Sequence, residues 1–68
     1  MSRYANHSYI VRAIYNYEAQ APEELSILEG MVIPVTATHP DGWWEGLIYG
    51  TDGVTRKGLF PSNFTEPL

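Results

Sequence analysis

The run "THPDGWWEGLIYG", Thr38–Gly50, sets a turn-forming His39-Pro40-Asp41-Gly42 ahead of two adjacent tryptophans and an apolar stretch. Neighbours in a strand point to opposite faces of a sheet, so a strand through this run sends only one tryptophan to a core. With Trp44 turned inward, Trp43 faces out. The next run, "GTDGVTRKG", contains Asp52-Gly53, a dipeptide suited to a hairpin turn, and predicts that the chain from Val54 returns antiparallel to the tryptophan strand.

Upstream, "YIVRAI" from Tyr9 is rich in β-branched residues and predicts a first strand with Val11 and Ala13 on its core face. "YEAQAPEEL", Tyr17 to Leu25, is too polar and proline-interrupted for a helix or central strand, and its apolar ends predict a long tethered loop. "EGMVIPVTA" predicts a strand ending near Thr38 with Ile33 and Val35 on one face. Pro34 has no N–H to donate and therefore points to an edge position or a bulge. Downstream, "GLFPSNFTEPL" reads as one more short strand, a Pro61-Ser62-Asn63 turn suited to a single 3₁₀ turn, and a short exit. Short strands in a chain too small for two large sheets close most readily into a small antiparallel barrel. The expected fold class is all-β: five strands, strongly twisted, with a 3₁₀ turn before the last.

The chain has 68 residues, enough for one small domain. Residues 1–8 are polar and aperiodic and read as a flexible N-terminal arm, with a single domain over 9–68. Hydrophobic residues make up 44% and aromatics 13%, which argues for a packed core, and there is no cysteine to staple it. No apolar run approaches the roughly 20 residues of a bilayer span and no secretory signal is visible, so a cytoplasmic setting without membrane insertion is expected. The net charge of −4 has the wrong sign for gripping nucleic acid and suits a basic partner.

Catalytic chemistry finds little support, and no enzyme activity, metal or cofactor is expected. His7 and His39 have no ligand-like spacing, Ser26 and Ser62 lack a glycine-flanked elbow, and "GTDG" is too short to cradle a phosphate. Binding is better supported, because Tyr15, Tyr17, Trp43, Pro61 and Phe64 exceed what so small a core needs. An outward tryptophan beside tyrosines makes an apolar shelf with polar edges. Such a shelf suits the preordered polyproline II helix, whose ridges fit between aromatic rings.

Four ordered motifs carry a family likeness: "AIYNY" resembles the ALYDY motif of Src-homology-3 domains and is followed by "EELSILEG", "DGWWEG" and "GLFPSNF". The resemblance covers Tyr9 to Pro67. It implies an adaptor module, monomeric within a larger protein, that binds proline-rich (PxxP) segments carrying arginine or lysine. It assigns the groove to Tyr15, Tyr17, Trp43, Pro61, Asn63 and Phe64, and a cation pocket to Glu24, with Glu18, Glu23, Asp41 and Glu45 assisting. The implied core is Val11, Ala13, Leu25, Ile27, Ile33, Val35, Gly46 and Phe60, with Gly58 preceding the last barrel strand. Several positions depart from the family pattern. Asn16 stands for an aspartate and is expected to alter local charge more than the groove; Leu59, often aromatic, reshapes one edge of the peptide surface. Phe64 replaces a tyrosine and loses a hydroxyl, which keeps ubiquitin open as an alternative partner, alongside a methyl-lysine cage. The segment Ile48–Lys57 is longer than the family's hairpin, and Arg56 and Lys57 are expected to form a small basic patch. By analogy such modules serve signalling, endocytosis or actin-regulating scaffolds.

Overall fold

A computed structural model describes residues 9–68; the expected arm over 1–8 lies outside the described residues. Five antiparallel strands form one barrel-like sheet in the order β4-β3-β2-β1-β5, with β1 at Ile10–Ala13, β2 at Val32–Ala37, β3 at Trp43–Tyr49, β4 at Thr55–Pro61 and β5 at Thr65–Pro67. A 3₁₀ turn, Ser62–Phe64, precedes β5.

Strand alternation sorts side chains as expected. Val11 and Ala13 of β1, Ile33 and Val35 of β2, and Phe60 of β4 are buried together with Leu25 and Ile27 from the long loop. Fully burying a Val, Ile or Phe side chain stabilises a fold by about 1.5–3 kcal/mol, so these few residues carry most of the favourable term. Gly46 faces the same interior: a Cβ there would lie 2.6 Å from Ile33 Cγ2 and 3.0 Å from Phe60 Cε1. The strands approach closely only because no side chain intervenes.

β3 and β4 form an unbroken ladder from Trp43↔Pro61 to Tyr49↔Thr55. Asp52-Gly53 does make its turn: the Gly53 N–H donates to Gly50 C=O at 3.0 Å, and Gly53 takes φ +84°, where glycine is favoured. Asp52 Oδ1 accepts from the Val54 N–H at 3.0 Å, fixing the turn locally.

Three expectations need correction. The return segment from Val54 and the stretch through Phe60 are one continuous strand, so Gly58 lies inside β4 rather than ahead of the last strand, and the exit residues make β5. Pro34 does not sit on an edge strand, since β2 lies between β3 and β1. It lies just ahead of an irregularity: Val32–Pro34 register with β1, the Val35 N–H donates to Tyr9 C=O at 2.9 Å on the same side, and opposite β3 the register shifts between Val35 and Ala37. Arg56 and Lys57 are not a free basic patch. Arg56 pairs with Asp52 at 3.1 Å, and Lys57 Nζ lies 4.0 Å from Glu45. All four groups are substantially exposed, where such pairs add little stability.

Candidate functional site

The aromatic side chains expected to form a groove come together from three distant parts of the chain. Tyr15 and Tyr17 follow β1, Trp43 opens β3, and Phe64 closes the 3₁₀ turn. Tyr15 meets Phe64 edge-on at 5.6 Å between ring centroids, Phe64 meets Tyr17 at 5.7 Å, and Tyr17 meets Trp43 at 5.8 Å. These contacts make one unbroken aromatic line in edge-to-face geometry, the arrangement that ring quadrupoles favour. Pro61 is buried directly opposite Trp43 in the β3–β4 ladder, and Asn63 is exposed on the turn between Pro61 and Phe64.

Two backbone bonds hold the line in place. The Ile14 N–H donates to Phe64 C=O at 2.8 Å, joining the front of the chain to the 3₁₀ turn, and the Ser62 N–H donates to Gly42 C=O at 2.9 Å, joining that turn to the loop before Trp43. Asp41 Oδ1 accepts from the Trp43 N–H at 3.0 Å, so one of its oxygens serves the turn that aims the tryptophan. Trp44 points to the other side, half-buried against the core, its ring 5.4 Å from Tyr9. No pattern in the sequence signals this second aromatic contact, because Tyr9 reads there only as the start of a strand.

The long loop is a hairpin. Tyr17 and Ile27 exchange two backbone bonds of 2.8 Å, and the Glu29 N–H donates to Asn16 Oδ1 at 2.7 Å, so Asn16 supplies an acceptor at the loop base without a charge. Glu24 organises the tip. Its Oε1 accepts from the Gln20 N–H and from the Tyr17 hydroxyl, both at 2.7 Å. The Gln20 bond, then the Tyr17 bond, hold the Glu24 carboxyl below its ordinary pKa against a small opposing effect of burial. The same hydrogen bond to Glu24, with burial and the carboxylate's charge, raises the Tyr17 phenol. Glu24 thus ties the loop tip to the central ring of the aromatic line.

The other candidate acids are placed differently. The side chains of Glu23 and Glu18 are exposed on the loop. Glu45 accepts from Thr36 Oγ1 at 2.7 Å and faces Leu59 across the ladder, which commits one of its oxygens to the sheet surface. Leu59 is half-buried beside them, and its backbone anchors the loop: its N–H donates to Glu23 C=O at 2.9 Å, and its C=O accepts from the Leu25 N–H at 2.7 Å. Among the described residues no group of three His, Cys, Asp or Glu side chains converges to hold a metal ion.

Two expected outcomes follow from the loop's attachment. A Cβ at Gly58 would lie 2.7 Å from the Glu23 carbonyl oxygen and 3.1 Å from Leu25 Cγ. Gly58→Ala therefore pushes the loop off β4, and urea unfolding should show a loss of about 1–3 kcal/mol, the usual range for overpacking. The loop's acids move with it, so peptide affinity should fall in the same variant. The second outcome concerns acid. A folded-state carboxyl held below its ordinary pKa contributes stability above the unfolded value and loses it as pH falls through the lowered folded value. Glu24 and Asp52 both belong to this class, Asp52 through the Val54 N–H first and Arg56 second. Stability should therefore decline at the acidic end of the carboxylate range, and Glu24→Gln, which keeps an acceptor without the charge, should flatten part of that decline in a pH series of urea melts.

The family model described as SH3 domain matches residues 12–62. The septation protein imp2 of Schizosaccharomyces pombe is 47% identical over 58 residues, covering 85% of this chain and 8% of that protein. The human Rho guanine nucleotide exchange factor 6 is 37% identical over 68 residues, covering 100% of this chain and 8% of that protein. The chain thus spans under a tenth of the length of these curated relatives. Among solved structures, an Acanthamoeba myosin I SH3 domain bound to Acan125 superposes with a TM-score of 0.78 at 35% identity, covering 91% of this chain and 98% of that one. The C-terminal SH3 domain of myosin IB from Entamoeba histolytica, bound to an EhFP10(GEF) peptide, superposes with a TM-score of 0.75 at 32% identity, covering 88% and 92%. With the five-stranded sheet, the 3₁₀ turn and the aromatic line in the same chain, the match over residues 12–62 has one meaning: the chain belongs to the SH3 domain family of protein-interaction modules.

Proposed function

We propose that the groove binds proline-rich segments in the polyproline II conformation, with a flanking arginine or lysine held by the loop acids, and that the module serves as a non-catalytic adaptor. The observation that carries this reading is the unbroken line Tyr15–Phe64–Tyr17–Trp43 with Pro61 beside it. Rings set edge to face leave clefts between them, and a polyproline II helix fills such clefts with little further loss of entropy. Glu24, with one oxygen engaged by Tyr17 and Gln20, supplies negative charge at the central ring of the line, and the exposed Glu23 adds to it on the same loop. The peptide complex of a similar SH3 domain supports a peptide as the ligand class. The names of the relatives, which include a septation protein, a Rho exchange factor and a myosin I, support a place in a cytoskeletal scaffold on the cytoplasmic side of the cell.

A peptide array that moves one arginine along a PxxP scaffold tests the assignment. Binding should depend on the arginine's place, and chemical-shift changes should gather at Tyr15, Tyr17, Trp43 and Phe64; equal binding of arginine-free peptides would remove the cation pocket. Ubiquitin is the second reading, favoured by the phenylalanine ring of Phe64, which packs on both tyrosines and ends without a hydroxyl. Phe64→Tyr should weaken ubiquitin and spare or improve the peptide by restoring about one hydrogen bond, on the order of 0.5–1.5 kcal/mol. A ubiquitin titration unchanged by Phe64→Tyr sinks that reading.

A further inference from the structure

The sheet carries a short stretch of open edge. The peptide groups of Leu59 turn toward the loop, bonding Glu23 and Leu25, while the Gly50 N–H donates to Val54 C=O across the hairpin. Antiparallel ladders alternate, so the groups of Thr55 and Lys57 point the same way as those of Leu59, away from β3. Among the described residues no backbone bond or bridge reaches Thr55 or Lys57 as Glu23 and Leu25 reach Leu59. The loop seals the seam at Leu59 and leaves it open beyond, on residues that are exposed.

Beside that edge lies a concavity of about 590 Å³, lined by no ring of the aromatic line and meeting it at Glu24, which lines the concavity and accepts from the Tyr17 hydroxyl. Leu25, Met31 and Ile48 give it an apolar lining, and Arg56 and Asp52, paired with one another, stand among its polar residues. Side chains alternate along β4, so Arg56 turns toward this hollow while Thr55 and Lys57 turn to the outer face. Lys57 is mostly exposed, its amine no closer than 4.0 Å to Glu45.

We infer that this open seam is a second peptide site, which takes an extended segment as an added strand along Thr55–Lys57. The backbone groups fix the conformation of the occupant, because two N–H and C=O pairs two residues apart match a strand and no helix. The side-chain faces fix its chemistry: a residue opposite Arg56 drops an apolar side chain into the Leu25, Met31 and Ile48 hollow, and its two neighbours point outward beside Lys57 and Thr55. A carboxylate fits beside Lys57 and a polar side chain beside Thr55, so the preferred pattern sets an acidic residue next to the apolar one. A second copy pairing through the same edge is disfavoured, because it would bring two copies of the exposed Lys57 together. The partner is thus opposite in character to the basic, proline-rich ligand of the groove.

The probe is an acetylated and amidated eight-residue peptide alternating glutamate and leucine, titrated into the isotopically labelled chain. The Thr55 and Lys57 amides and the methyls of Met31 and Ile48 should shift, and exchange of those two amides should slow by about tenfold at saturation. Trp43→Ala should bind this peptide as the wild type does, which separates the seam from the groove. Lys57→Pro removes one outward donor and spares the bonds to β3, and should weaken binding by about fivefold, the worth of one net hydrogen bond. Should that variant fold poorly, Lys57→Glu keeps the backbone intact, should also weaken the peptide, and should bind a peptide alternating lysine and leucine better than the wild type does. Thr55 and Lys57 amides that stay unshifted at millimolar peptide, or shifts confined to Tyr15, Trp43 and Phe64, overturn the inference.

Discussion

Phe60→Ala should leave most of the chain unfolded at room temperature. Phe60 is completely buried and is the largest of the fully buried side chains, in one cluster with Val11, Ala13, Ile27 and Ile33. Truncation removes the ring and leaves a cavity that the strands cannot close, because Gly46 already brings β3 as near to Ile33 and Phe60 as backbone geometry allows. Such truncations cost about 3–5 kcal/mol. A domain of this length holds only about 3–10 kcal/mol in total. Urea melts followed by tryptophan fluorescence should show little or no folded baseline for Phe60→Ala, and a recovered transition for Phe60→Leu, which keeps most of the apolar volume. A Phe60→Ala variant with a midpoint close to wild type would mean that the core is organised elsewhere.

Trp43→Ala should abolish binding of proline-rich peptides while leaving the fold intact. Its side chain lies on the outer face, its ring contact within the chain is with Tyr17, and its backbone N–H is held by Asp41 whatever the side chain. Loss of a central tryptophan from an interface typically removes 2 kcal/mol or more, so affinity should fall by about thirtyfold or beyond. Calorimetric titration gives the affinity, and a urea melt of the same sample gives the stability; the expected pattern is a large change in the first and a small one in the second. Undiminished peptide binding in Trp43→Ala would place the ligand off the aromatic line. Equal losses in both measurements would mean that Trp43 acts through the fold.

Much of this was open to reading from residue order, because it follows from the two-residue period of strands. Val11 with Ala13, Ile33 with Val35, and the opposite facing of Trp43 and Trp44 all come from parity alone, and the structure places each accordingly. The family motifs added Leu25, Ile27, Gly46 and Phe60, which parity could not reach from a loop or from single positions. The features left unread depend on contacts between distant segments. Gly58 breaks a β-rich run and so suggested a strand boundary, yet its lack of a side chain makes room for the Glu23 carbonyl from 35 residues earlier in the chain. Pro34 marks a nearby irregularity, while the place of the register shift, between Val35 and Ala37, depends on how β3 lies against β2. Arg56 and Lys57 looked like a patch because adjacent cations do in a linear sequence; a strand sends them to opposite faces, each to its own acid.

The bond from the Ile14 N–H to Phe64 C=O has a consequence for how the protein is made. It joins the front of the groove to its back, so of the four rings in the line Tyr15 and Tyr17 are synthesised first, Trp43 next and Phe64 last. Contacts of such sequence separation form slowly and cannot form at all on an unfinished chain. On the ribosome, Tyr15 emerges long before its ring partner Phe64, and Tyr17 before both Trp43 and Phe64. The aromatic line is complete only when Phe64 has cleared the exit tunnel and docked beside the residues made first.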